Sequence, residues 1–312
     1  MAGNSLWQVL ASRLLQGLLV VLVVVTIVFF VSRVARDPIQ YLASDESTQE
    51  EIERLEEIFG LDDHVVVQYG RFLWETAQFD FGNSLVNGRP ALNEVQSRLG
   101  KTLQLGVASL IFSLVLGLPL GVIAALRRGS PTDWFARLLA VIGQATPNFW
   151  LGLMMIFFFS VELGWLPTGG SGSLKHMILP TVTLGLLTSA AVMRLTRSGM
   201  IDAMGTDFVR TARAKGLREG TIISRHALRH ALLPVATIMG IQVGRLIAGS
   251  VIIETVFSWP GVGRLTITAI QGGDFPVTQT AILLIAATIV LANIAVDLSY
   301  RLIDPRIRAG AG

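Results

Sequence analysis

Six stretches of this chain are apolar for long enough to cross a bilayer, and that decides the solvent it folds in: 14–31, 103–126, 135–161, 177–193, 233–253 and 278–300. A spanning helix needs about 20 predominantly apolar residues. In hydrocarbon every backbone N–H and C=O has to be satisfied inside the segment or by a neighbour, so each stretch is expected to be helical. Composition agrees. Of 312 residues 52% are hydrophobic and 15% charged, whereas soluble domains carry about 25% charged residues. The first stretch exceeds the roughly 7–15 apolar residues of a secretory leader, and Ser32-Arg33-Val34-Ala35-Arg36 is a poor cleavage site. It reads as a retained helix. The expected fold is an all-α membrane protein with six transmembrane helices.

Lys and Arg in the connections indicate which side faces the cytoplasm. Residues 194–230 hold eight of them against three acids, and Arg13, Arg127, Arg128, Arg301, Arg306 and Arg308 fall on the same side if there are six spans. The opposite side receives Lys175, Arg264 and residues 36–100, where five Arg stand against thirteen Asp or Glu. Both termini and the 194–233 loop are therefore expected in the cytoplasm. The formal charge of +3 follows from this loop asymmetry and is not read as a nucleic-acid footprint.

The expected organisation has four parts. An N-terminal transmembrane helix (1–35) precedes an acidic extracytoplasmic segment (36–100). A five-helix core (101–305) carries the cytoplasmic loop 194–233, and a short tail (306–312) follows. Within the acidic segment, Ile52, Leu55, Ile58 and Phe59 recur at helical spacing, and Tyr69, Phe72, Leu73 and Trp74 mark a second short helix. Several spans contain breakers: Gly117, Pro119 and Gly121; Pro147; and Gly240, Gly244 and Gly249. Small residues four apart allow close helix approach, and the same residues also suit a hinge.

Catalytic signatures do not assemble. Gly100-Lys101-Thr102 looks like the end of a phosphate-binding loop, but Val95 stands where the leading glycine is due, and the stretch runs straight into a span. Cysteine is absent. His226 and His230 are four apart, a zinc-type spacing, with no third ligand nearby in sequence. The chain is read as non-enzymatic and metal-free.

The 207–217 stretch carries the most information. It is polar and basic, opens at Asp207 as a candidate cap, and is expected to form a short helix ended by Gly216. A second basic helix at 224–230 would complete a rigid knob. Val209-Arg210-Thr211-Ala212-Arg213-Ala214-Lys215-Gly216-Leu217 resembles the coupling-helix signature in the permease subunits of ATP-binding-cassette importers for dipeptides, oligopeptides and nickel. Arg210, Thr211, Ala212 and Gly216 align with its Glu-Ala-Ala-x-x-x-Gly core, and Arg for the acid is a feature of the dipeptide-type branch. The resemblance continues through Asp80-Phe81-Gly82-Asn83-Ser84, Gly164-Trp165-Leu166-Pro167, the run from Glu254 to Gly263, and the ending from Asp297 to Arg306.

The resemblance implies a type I importer permease-like core that forms part of a path for peptides or related small solutes. Asp207, Arg210, Thr211, Ala212, Arg213, Lys215, Gly216 and Leu217 would then dock the ATPase. The implied partners are a homologous second permease, two ATP-binding subunits or domains, and an extracytoplasmic solute-binding protein. ATP and Mg would sit on the ATPases, with no cofactor on this chain. An ion-coupled secondary transporter is the alternative, but it should show midplane carboxylates.

Arg245 is a charge near the middle of a span, and such residues usually face a bundle interior or a solute path. Facing a peptide carboxylate and pairing within the complex are both open to it. Gln242 and Asn148 join it as candidates for the path. Trp259-Pro260-Gly261 reads either as an interfacial anchor or as a gate at the outer turn.

Overall fold

The structure, a computed structural model, describes residues 6–35, 48, 50 and 63–303. The 52–59 pattern, Asp304-Pro305 and the 306–312 tail lie outside the described residues. Ten helices of eight or more residues stand among those described. They are α1 (Leu6–Ala35), α2 (Val65–Ala77), α3 (Ala91–Leu126), α4 (Pro131–Ala145), α5 (Asn148–Met155), α6 (Leu174–Met204), α7 (Asp207–Ala214), α8 (Leu228–Val256), α9 (Val262–Gln271) and α10 (Phe275–Ile303). The only extended pairing among the described residues is a single bridge, Asn83 with Pro90. Among the described residues five helices are long and apolar enough to cross a membrane, and the α4–α5 pair makes a sixth if counted as one bent span.

The third expected span, 135–161, is not straight. It breaks at Thr146-Pro147, and its halves meet at 107°. Proline has no amide hydrogen, so the Gly143 carbonyl loses its α-helical donor. Beyond the break, α5 passes into a π-helical stretch, Ile156–Glu162. A second correction concerns 224–230, which is no separate helix. Glu219–Thr221 leads through a π-helical turn, Ile222–Ala227, into α8 without interruption.

The chain divides into two compact units. One comprises residues 1–100 and 261–291. In it Phe29 of α1 is fully buried, its ring 5.1 Å from Tyr69 and 5.6 Å from Phe72 of α2. Thr26 and Tyr69 share a 2.7 Å hydroxyl hydrogen bond. The expected short helix at 69–74 is therefore present, and it holds α1 by its aromatic face. Ala91, Val95, Val262, Ala269, Val277 and Ala281 form this unit's core. The Asp80–Ser84 stretch is a turn closed by Ala91 N–H on the Gly82 carbonyl at 3.0 Å, with Gly82 at φ +70°. The Ser84 hydroxyl donates to buried Asp274.

The other unit comprises residues 101–260 and 292–312. Its centre is α6, whose small residues admit neighbours. A Cβ on Gly117 of α3 would lie 2.7 Å from the Ser189 carbonyl oxygen, and one on Gly121 would lie 2.6 Å from Thr196 Cβ. Gly199 presents the same close approach to Ala231 of α8, at 3.0 Å. These contacts carry the packing reading for Gly117 and Gly121. At the start of α4 Asp133, 1% exposed, takes two hydrogen bonds from Arg197 of α6, at 2.7 and 2.9 Å, and one from Gly129 N–H at 3.0 Å.

Candidate functional site

Two parts of the 101–260 unit concentrate chemistry the packing does not require: the knob at 207–217 and a polar cavity. The knob begins when Thr206, in extended conformation, hands over to α7. Asp207 is therefore the first helical residue and not the cap; its carboxylate lies in the first turn, where the helix dipole favours negative charge. Val209 and Ala212, three apart on one face, bury against Ile222 and Met204. That leaves Phe208, Arg210, Thr211, Arg213, Lys215 and Leu217 on the exposed side.

Gly216 ends the helix with φ +74°. Its N–H reaches the Arg213 carbonyl at 2.9 Å and the Leu217 N–H reaches that of Ala212 at 3.2 Å, the doubled bond pattern of a left-handed C-terminal cap. Arg213 is clasped by Glu219 at 2.6 Å, a hydrogen bond that holds the guanidinium further into its charged range. Arg210 touches Asp207 only loosely, at 3.4 Å, and its side chain is 76% exposed. His230 of α8 packs its ring 5.9 Å from Phe208.

The cavity, about 390 Å³, is walled by α4, α5, α6 and α8. Gln144 and Asn148 flank the Thr146-Pro147 break; Thr188 and Arg194 come from α6; Gln242 and Arg245 come from α8. The three residues proposed from sequence for a path thus line one space. Gln242 is 6% exposed and donates through Nε2 to Thr188 Oγ1 at 3.2 Å. Its Oε1 has no hydrogen-bond partner. Arg194 donates to Gln144 Oε1 at 2.7 Å. Arg245 is exposed, with no ion pair among the described residues.

Arg194 escaped the sequence reading because it was counted with the loop charges. The signal was present: Leu187, Ala191 and Arg194 on α6, like Ile238, Gln242, Arg245 and Gly249 on α8, follow the three-and-four spacing of one helix face. Glu254, noted in the sequence only as the start of a family-like run, is buried. It accepts from Thr102 Oγ1 at 2.7 Å near the end of α8.

Trp259 is 2% exposed and packs with Leu105, Ile253 and Phe257. Its indole N–H donates to the Lys101 carbonyl at 3.0 Å. An interfacial anchor needs an accessible ring, so this tryptophan is a core residue. Pro260 follows it half-buried, and buried Gly261 stands in extended conformation as the residue before α9.

Residues 117–309, which include both the knob and the whole cavity wall, match the family described as binding-protein-dependent transport system inner membrane component. Residues 6–106 match its N-terminal counterpart. The chain belongs to this family. It is a transmembrane permease subunit of an ATP-binding-cassette importer and not an enzyme, and the family does not support the ion-coupled alternative.

Among its relatives is the glutathione transport system permease protein GsiC of Escherichia coli (strain K12), 40% identical over 296 residues, which are 94% of this chain and 97% of that one. The GsiC protein of Salmonella paratyphi A is 40% identical over 297 residues, 95% of this chain and 97% of its own. A solved chain of the inward-facing MetNI methionine ABC transporter superposes with a TM-score of 0.56 at 22% identity, covering 67% of this permease and 96% of that chain. That likeness establishes the type I importer permease fold.

Proposed function

We propose that this permease carries peptides or related small solutes, glutathione-like compounds among them, and that residues 207–217 are its docking element for separate ATPases. The knob supports this reading: a short helix is seated by Val209 and Ala212, turned off by Gly216, and presents Arg210, Thr211, Lys215 and Leu217 outward. A rigid projection transmits displacement, where a flexible loop would absorb it. ATP and Mg belong to the ATPase subunits, a second homologous permease completes the path, and an extracytoplasmic binding protein delivers the solute. Closure of the ATPases on the knob would move α6 and α8, which frame the cavity proposed here as part of the path. The gate assignment narrows to Pro260 and Gly261 at the turn, with Trp259 holding the turn in place.

Gly216→Val forces a β-branched residue into positive φ, at a local cost of roughly 1–3 kcal/mol. That is too little to prevent insertion of six spans. Co-purification of the ATPases should fall, or ATP hydrolysis should no longer respond to loaded binding protein. Arg210→Glu should weaken the interface through charge with the backbone intact, and Gly220→Ala should be mild. Normal coupling in both Gly216→Val and Arg210→Glu would remove the docking assignment.

The proposed orientation places both termini and the 194–233 loop in the cytoplasm. In this cysteine-free chain, single Cys at Ser171 and Gly273 should react with an impermeant thiol reagent from outside. Cys at Ser130 and Gly220 should react only after the membrane is opened. Labelling of Gly220→Cys in intact cells would reverse the orientation.

A further inference from the structure

The polar cavity holds more charge than a neutral solute needs. Two guanidinium groups, Arg194 and Arg245, line it, and no carboxylate is among its lining residues. Arg245 stands near the middle of a span, where charges are costly and are ordinarily paired or put to use. Arg194 is steered by Gln144, whose Oε1 takes one of its five donors. Arg245 has no partner of its own among the described residues. Gln242, one turn before Arg245 on the same face of α8, keeps a buried Oε1 with an unfilled lone pair while its Nε2 is spent on Thr188. A buried acceptor without a donor costs free energy, which a ligand N–H placed there would recover.

We infer that this cavity is a carboxylate site, in which Arg245 takes the ligand's anionic end, Gln242 accepts from an adjacent N–H, and Arg194 extends the positive field. The spacing suits such a ligand. Gln242 and Arg245 are three residues apart on α8, about 4.5 Å of helical rise, within reach of an acid whose N–H adjoins its carboxylate. A guanidinium also offers two parallel donors to a carboxylate, which an ammonium cannot do. The cavity therefore discriminates by charge within the membrane, independently of any selection made by a binding protein. This rests on the cavity being part of the solute path, but its charge preference is measurable without a transport step.

Ala191 lines the same wall one turn from Arg194, and the native chain has no cysteine to confuse a label. In the reconstituted transporter complex, Ala191→Cys is to be modified with anionic sulfonatoethyl and with cationic trimethylammonium-ethyl methanethiosulfonate. Each rate is normalised to the same reagent's rate with a free thiol. One positive charge about 8 Å away at an effective dielectric of about 30 alters local concentration roughly tenfold. The anionic reagent should therefore be favoured at least about tenfold, and the preference should collapse in the Arg194→Gln, Arg245→Gln background. N-acetylglycine at a concentration near its dissociation constant, on the order of 1 mM for so small a ligand, should slow modification roughly twofold, while N-acetylglycinamide should not. Protection should disappear in Arg245→Gln alone.

Equal rates for the two reagents, a cationic preference, or no reaction with either would overturn the inference. Equal protection by the acid and its amide would overturn the carboxylate assignment. Leu187→Cys, on the same wall, replaces Ala191→Cys if that variant does not assemble. A transporter that shows the charge preference yet does not couple to ATPase would fail the docking assignment of residues 207–217 and leave this one standing.

Discussion

Gly121→Leu is expected to prevent the subunit from accumulating in the membrane. A side chain at this position would start 2.6 Å from Thr196 Cβ and 2.7 Å from the Met193 carbonyl oxygen. The nearest obstacles include backbone, which cannot rotate aside, so α3 and α6 would have to separate. Overpacking commonly costs about 1–3 kcal/mol, and a backbone collision lies at or above the top of that range. In lipid no hydrophobic force restores the contact, because association there depends on close packing. Gly106 on the same helix has nothing within 4 Å of its would-be Cβ, so Gly106→Leu should accumulate and melt like the parent. Membrane abundance and the melting temperature of the solubilised complex are the measurements. Parental values for Gly121→Leu would show that the helices do not pack here as described.

Asp133→Ala should lower the melting temperature nearly as much. It strands the Arg197 guanidinium, the Gly129 N–H and the second, looser contact from Arg137 at 3.5 Å. Removing one member of a buried pair costs about 3–5 kcal/mol, and because Arg197 retains 21% exposure the lower end applies. Replacing both residues by leucine should recover most of the loss, since no unpaired charge then remains. Ser130→Ala, which removes the cap hydroxyl's bonds to Asp133 N–H and to the exposed Thr132 hydroxyl, should cost about 1 kcal/mol. If Asp133→Ala melts with the parent, the α4–α6 junction is held by something other than this pair.

What the sequence disclosed follows from what has local causes. Span lengths, the Gly216 stop and the aromatic face of α2 depend on composition and spacing within a few residues, and they were readable. Thr206 and Asp207 are both acceptable caps, so only the backbone could choose between them. Pro147 was visible as an interruption, but membrane helices often tolerate proline with a mild kink, and a 107° turn is set by the helices around it. The π-helical stretches have no local signature, which is why 224–230 was taken for a separate helix. The general habits of tryptophan at a turn left Trp259 open to an interfacial or a gate reading, whereas its Lys101 partner lies 158 residues away. Gln242, Asn148 and Arg245 were readable as polar residues in apolar surroundings. That they share one cavity with Arg194 is a fact of three dimensions.

The bend between α4 and α5 bears on hydration. Each arm has fifteen residues, about 22 Å of helix, so neither crosses the roughly 30 Å of hydrocarbon alone. Where the bent pair serves as one span, their junction falls at a depth at which lipid would leave the carbonyl freed at Pro147 unsatisfied, and irregular backbone there is tolerated only beside protein or water. Gln144 and Asn148 flank that junction and open onto the cavity. In that arrangement the bend makes a polar inlet inside the bilayer, a place where the local dielectric stays high although the surrounding slab is oil. For an ion the barrier to crossing is dominated by the thickness of low-dielectric material in its way. A broken helix thins that layer from within, before any part of the transporter has moved.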